Sequence, residues 1–372
     1  MDHTAAETST GAPDHVGHRR AAHQHLPGLT GLRAIAVATV VAYHLGYLHG
    51  GFIGVDLFFV LSGFLITSLL LGDPPSDLRG LATWWGRRVR RLTPAVAVVV
   101  AVVLIAFATR SGITMDGIAT LTWWQNWHLI LEGTPYWAAS PSPLRHAWSL
   151  SIEEQFYLFW PPILLGLVAL ARRTGRTSRL IAGAALAGAV APFAWAAWLA
   201  EAAEPNLSRI YFGTDTRAGA LLIGCAAAAW MRTRPPRTEG RLSAQLWAPA
   251  ALTLVALSLT MAPDERWTYT GGLLAATISS LVLVVACTRP GPLTTAMSWA
   301  PLQWLGERSY ALYLWSWPIQ VALQERFPDL PLWCVALLTV GASVPLASLS
   351  RRLVEEPLRR QSSWALRPAP RR

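Results

Sequence analysis

The 372-residue chain is 53% hydrophobic and only 14% charged, with a formal net charge of +10. Several apolar runs reach bilayer-spanning length, which excludes a pair of soluble domains, and the arginines cluster between those runs rather than forming a nucleic-acid-binding patch. Every Lys/Arg-type cation is arginine, and the three cysteines, Cys225, Cys287 and Cys334, lie inside apolar segments, an odd set that offers no disulfide framework and no metal site.

Residues 1–26 are polar, hold five of the nine histidines and lack the apolar core of a cleaved signal peptide. A solvated, disordered tail accounts for His15, His18, His23 and His25 better than a metal site does. Ten apolar segments follow, near 31–49, 53–72, 94–110, 147–170, 180–200, 215–231, 245–261, 271–288, 307–325 and 331–350. They predict an all-α polytopic transmembrane bundle over residues 27–358, with a basic cytoplasmic tail at 359–372.

Arginine placement orients that bundle. The connections at 73–93, 171–179, 232–244 and 289–306, with the segment from Arg351, carry nearly all the clustered arginines, whereas the short links Glu201–Ser208 and Pro263–Thr270 lie on the other side. The positive-inside rule then puts both termini in the cytoplasm of a multi-pass cell-membrane (plasma or inner-membrane) protein, with its arginines against anionic lipid head groups. Residues 111–146 are aromatic, interrupted and too short to span, so they are expected to form an extracytoplasmic re-entrant or interfacial segment. Trp123, Trp124, Trp127 and Trp137 suit an interface belt better than a sugar-stacking platform.

Four stretches place polar groups where a bilayer disfavours them. Arg33 and His44 are eleven residues apart, so they share one helix face about 16 Å apart along the axis. GGFIGVDLFFVLSGF carries Asp56 and Ser62 among Gly51, Gly54 and Gly63, glycines that suit a tight corner and close packing. HAWSLSIEEQFYLFWPP repeats Ser149, Glu153 and Tyr157 every four residues, and LGERSYALYLWSWP carries Tyr310 and Tyr313. Together they offer a base, acids, hydroxyls and a cation, the ingredients of acyl transfer.

In this combination the chain resembles the membrane-bound acyltransferase 3 family. The hallmarks are the Arg33–His44 pair, GVDLFFVLSGFLIT from Gly54, the basic RRVRRLTPA from Arg87, WSLSIEEQFY from Trp148 and SYALYLW from Ser309. The resemblance implies an acyl-coenzyme A donor, with acetyl-coenzyme A foremost, arriving from the cytosol and used as a co-substrate. It implies transfer of a short acyl group to a hydroxyl of a glycan or lipid-linked sugar. Competing readings are acylation of a specialised metabolite such as a macrolide and a non-enzymatic transporter or flippase; no inverted-repeat hydropathy favours the latter.

Candidate roles follow from side-chain chemistry. His44 would take the proton of an attacking hydroxyl or carry the acyl group itself. Glu153 would orient His44 or Arg33, with Asp56 a second candidate partner or a helix cap. Arg33 would hold donor phosphates or polarise the thioester, or else snorkel to head groups, and Arg87, Arg88, Arg90 and Arg91 add charge for coenzyme A phosphates. Ser62, Ser149, Tyr157, Tyr310 and Tyr313 line the expected substrate path, while Glu154 is expected to point elsewhere. Many relatives have a histidine where this chain has Ser316, and an acidic residue where it has Gly219. His44 is therefore expected to be the sole intramembrane imidazole. With no appended esterase-like domain in the sequence, the acceptor is expected to be modified directly or through a separate extracytoplasmic partner.

Overall fold

Proline, glycine and cap residues set the helix limits. The structure is a computed structural model that describes residues 26–138, 140–172, 177–233 and 241–357. Apart from Leu26, the expected tails, with their five histidines, lie outside the described residues. Helix α1 (Pro27–His44) starts on Pro27, whose missing N–H would be unpaired in a first turn anyway. A glycine-rich corner and a single tight turn at Gly51–Ile53 lead into α2 (Gly54–Gly72). Helix α3 (Leu78–Ala106) is capped by Asp77, whose carboxylate accepts from the Gly80 N–H at 2.7 Å.

Helix α3 corrects the expected boundary at residue 94. The RRVRR stretch is helical, and the helix passes through Pro94 without stopping. Its 29 residues span about 43 Å at 1.5 Å each, so it is longer than the hydrocarbon core and projects its arginines beyond it. The segment expected to be re-entrant or interfacial holds two short helices, α4 (Ile113–Leu121) and α5 (Gln125–Leu131). They are followed by α6 (Trp148–Arg172), α7 (Thr177–Ala200), the short α8 (Leu207–Phe212) and α9 (Thr214–Met231). The chain ends in α10 (Arg241–Thr260), α11 (Leu273–Ala286), short α12 (Pro292–Met297), α13 (Ala300–Arg326) and α14 (Leu332–Ser350). Among the described residues there is no strand.

Among the described residues, six segments are long and apolar enough to cross a membrane: Gly51–Gly72, Leu78–Ala106, Arg145–Ala171, Thr177–Ala200, Thr268–Ala286 and Leu332–Glu355. The other four expected spans coincide with α1, α9, α10 and α13, which are helical but fall short in length or hydropathy. The cause is visible in three of them: α1 carries Arg33 and His44, α9 carries Asp215 and Arg217, and α13 carries Glu307, Arg308, Glu325 and Arg326.

Small residues bring the central helices together. A Cβ added to Gly63 of α2 would lie 1.9 Å from the Leu221 carbonyl oxygen of α9, and one on Gly224 would lie 2.2 Å from the Val60 oxygen. Gly306 of α13 stands in the same relation to Thr30 of α1, at 1.9 Å. Such backbone approach is how membrane helices associate when apolar burial gives no preference for protein over lipid. Gly224→Ala is therefore expected to lower the melting temperature of the detergent-solubilised protein, at an overpacking cost of about 1–3 kcal/mol. Gly183→Ala, where an added Cβ meets nothing within 4 Å, is the matched control and should melt like the parent.

Candidate active site

The two groups on the α1 face sit in different surroundings. Arg33 is partly exposed and lies in the field of Glu153 and Tyr157 of α6, Glu355 beyond α14, and Arg88 of α3. Ser62 Oγ donates to Glu153 Oε1 at 2.5 Å, tying α2 to α6. The Arg88 guanidinium stacks 3.1 Å above the centre of the Tyr157 ring, and its Nε is 3.7 Å from Glu154 Oε1. Trp85 Nε1 donates to the Tyr157 carbonyl at 2.9 Å, which fixes α3 against α6. Five of the residues chosen from sequence thus meet here: Arg33, Ser62, Arg88, Glu153 and Tyr157.

Other residues chosen for this end behave differently. Glu154 does not point away but faces Arg88, because α3 packs against the flank of α6 on which it stands. Arg91 is exposed and in the field of Glu154 and Glu355. Arg90 is exposed and Arg87 partly exposed. Tyr310 donates its hydroxyl to the Leu92 carbonyl at 3.1 Å and so joins α13 to α3.

At the far end of α1 the partly exposed His44 ring lies 4.5 Å from that of Trp317, and the His44 carbonyl accepts from Gln320 Nε2 at 2.5 Å. The charged or titratable neighbours of its side chain are Arg145 and His146, from the turn that precedes α6. The Arg145 guanidinium lies 4.5 Å from the Trp317 ring centre and 5.0 Å from that of Tyr136, and it donates to the Tyr136 carbonyl. Tyr313 donates to the His146 carbonyl at 2.6 Å and lies 2.7 Å from Ser149 Oγ. Ser149 and Tyr313 therefore belong to this end. His44 Nδ1 is buried without a hydrogen-bond partner.

Three expectations change. Of the two partners expected for Glu153 the structure gives Arg33 and not His44: its hydroxyl partner is Ser62 and its cations are Arg88 and Arg33, whereas the groups acting on His44 are Arg145 and His146. Asp56 partners neither His44 nor Arg33 and makes no cap: its Oδ2 is 3.1 Å from Arg217 Nη2 of α9, with both side chains 2% exposed. His44 is not the sole imidazole among the apolar helices, since the buried His146 stands beside it.

The stripe Ser149, Glu153, Tyr157 joins the two ends in steps of about 6 Å along α6. The result is one polar column, partly exposed at Arg33 and Ser62 and again at His44, and buried at Ser149 and Tyr313 between them. Among the described residues, hollows lie against Trp195 and Trp198 and, with a volume of about 260 Å³, beside Phe64, Ser68 and Arg232.

The fold and the site define a multi-helix membrane protein that gathers cations, carboxylates, hydroxyls and imidazoles along α1 and α6. The family is fixed by comparison: the acyltransferase domain matches residues 26–352, and the chain belongs to that family. It is similar to the putative peptidoglycan O-acetyltransferase YrhL of Bacillus subtilis, 38% identical over 92% of this chain and 56% of that protein. It is 36% identical to the peptidoglycan O-acetyltransferase OatA of Listeria monocytogenes over 92% of this chain and 57% of that protein. The putative O-acetyltransferase SACOL0978 of Staphylococcus aureus is 33% identical over 92% of this chain and 59% of its own length. The chain thus spans a little over half the length of these curated relatives. No solved structure matches it.

Proposed function

We propose that the protein is an integral-membrane O-acetyltransferase that moves an acetyl group from acetyl-coenzyme A to a hydroxyl of a cell-envelope glycan. The family match and the relatives, peptidoglycan O-acetyltransferases by name, support the reaction and the acceptor class. The observation that carries the reading is the column: a cation among carboxylates at one end of α1, and an imidazole with an unpartnered Nδ1 at the other. In this reading ten helices span the cell membrane, with the arginine-rich end and both termini cytoplasmic.

Coenzyme A phosphates then meet Arg88, Arg91 and Arg33 on the cytoplasmic side, and the thioester reaches inward along α6. The acceptor hydroxyl attacks the thioester carbonyl while His44 takes its proton; the C–S bond breaks and the thiolate of coenzyme A leaves, regaining a proton. Arg145, beside His44, is placed to meet negative charge developing on the carbonyl oxygen. Ser62 holds Glu153, which balances Arg33 until the donor arrives.

Purified protein in detergent, given labelled acetyl-coenzyme A and peptidoglycan fragments, is expected to form covalently acetylated glycan without any membrane gradient. Gradient-dependent movement of acceptor with no covalent product would overturn the proposal. Arg33→Ala should raise the KM for acetyl-coenzyme A by about tenfold or more, the cost of a lost charge-assisted contact. An unchanged donor dependence would assign Arg33 to anchoring at the head groups instead.

A further inference from the structure

A second cluster of ligating side chains lies outside the column, on α4 and α5. Asp116 and His128 are 7% and 5% exposed, and Glu132, the residue that ends α5, reaches over them from the surface. His128 Nε2 lies 3.3 Å from Asp116 Oδ1 and 3.4 Å from Glu132 Oε1, yet it has no hydrogen-bond partner. A buried ring nitrogen aimed between two carboxylate oxygens, aligned for a hydrogen bond with neither, calls for a cation among the three.

We propose that Asp116, His128 and Glu132 bind a divalent transition-metal ion, zinc being the best match. One imidazole nitrogen and two carboxylate oxygens are zinc donors, and bonds of about 2.0–2.2 Å in a tetrahedron place neighbouring ligand atoms about 3.3–3.6 Å apart. The two separations from Nε2 agree with that edge, and all three ligand atoms lie within 4.8 Å of one another. Two carboxylates and a neutral imidazole also balance a dication. Asp116 is already oriented by outer groups, since Gln125 Nε2 donates to Oδ1 at 3.0 Å and Ser142 Oγ to Oδ2 at 2.6 Å. The exposed flank of Glu132 leaves the fourth position to solvent. The ion ties α4 to α5 next to the loop that carries Tyr136, whose carbonyl holds Arg145.

The test uses the full chain in detergent, stripped with a chelator, exposed to zinc chloride, desalted and assayed by mass spectrometry for bound metal and by thermal melting. Wild type is expected to keep one more zinc per chain than His128→Ala, and zinc should raise its melting temperature but not that of the variant. Metal held by the histidines of residues 1–26 is common to both proteins and cancels in the difference. Glu132→Gln, at a half-exposed position that tolerates substitution, is expected to weaken zinc binding by about tenfold or more, as even the loss of a group that orients a ligand does. Equal zinc content and equal melting response in wild type and Glu132→Gln would overturn the site, whether or not His128→Ala folds.

Discussion

His44→Ala is expected to lower acetyl transfer by about 10²–10⁴-fold or more, the usual worth of a positioned general base, while the protein still folds and inserts. The ring sits on the last residue of α1, and its loss removes a tilted ring contact with Trp317 while its buried Nδ1 has no hydrogen-bond partner to lose, so the stability cost is small. His146→Ala is the informative comparison. His146 is 3% exposed and lies behind Tyr313, whereas His44 is partly exposed, so only His44 can meet an incoming hydroxyl. The His146 variant should therefore slow transfer without ending it. Steady-state rates with labelled acetyl-coenzyme A decide between them, and full turnover by His44→Ala would take that ring out of the mechanism. Incubation with donor alone separates the two routes open to His44. An acetylated peptide containing residue 44 identifies a carrier, and its absence during active turnover identifies a base.

Features governed by local periodicity were legible in the sequence. The Arg33–His44 face follows from helical spacing alone, and the ten apolar segments fall on ten helices. Residues 111–146 proved too short to span, as their interrupted pattern requires, and they fold as α4 and α5. The start of α3 was not legible in the apolar run near 94–110, because the helix begins at Leu78 in the basic stretch and passes through Pro94; a proline within a long membrane helix is tolerated when its neighbours re-satisfy the freed carbonyl, and α6, α7, α10, α13 and α14 contain prolines as well. The composition of the site was only half legible. Arg145 and His146 precede α6 in a turn, where a polar pair is the ordinary expectation, and only folding brings them to His44. The Asp116–His128–Glu132 cluster shows the same limit. His128 and Glu132 share a helix face, but Asp116 joins them through the turn at Trp123, which takes a positive φ of 62° that no apolar pattern announces.

Arg217→Met is expected to cause the largest loss of stability of any single change considered. Asp56 and Arg217 are separated by 161 residues in sequence, yet their side chains meet at 3.1 Å deep between α2 and α9. The guanidinium is enclosed by aromatic rings, 5.0 Å from the centre of Tyr211, 5.8 Å from Trp148 and 5.9 Å from Phe59. Removing it strands a buried carboxylate, which costs about 3–5 kcal/mol, whereas removing both charges together is often close to neutral. Asp56→Asn combined with Arg217→Met should accordingly recover much of the melting temperature that Arg217→Met alone loses. Arg217→Lys should recover less, because an ammonium keeps the charge but not the flat face that stacks among the rings. The same variants separate structure from chemistry at Asp56. If the pair only holds α2 to α9, the uncharged double variant transfers acetyl groups at a rate near the parent; if Asp56 acts on substrate, it folds and is inactive. A single variant as stable as the parent would mean that water or lipid head groups reach Asp56, against the 2% exposure of its side chain.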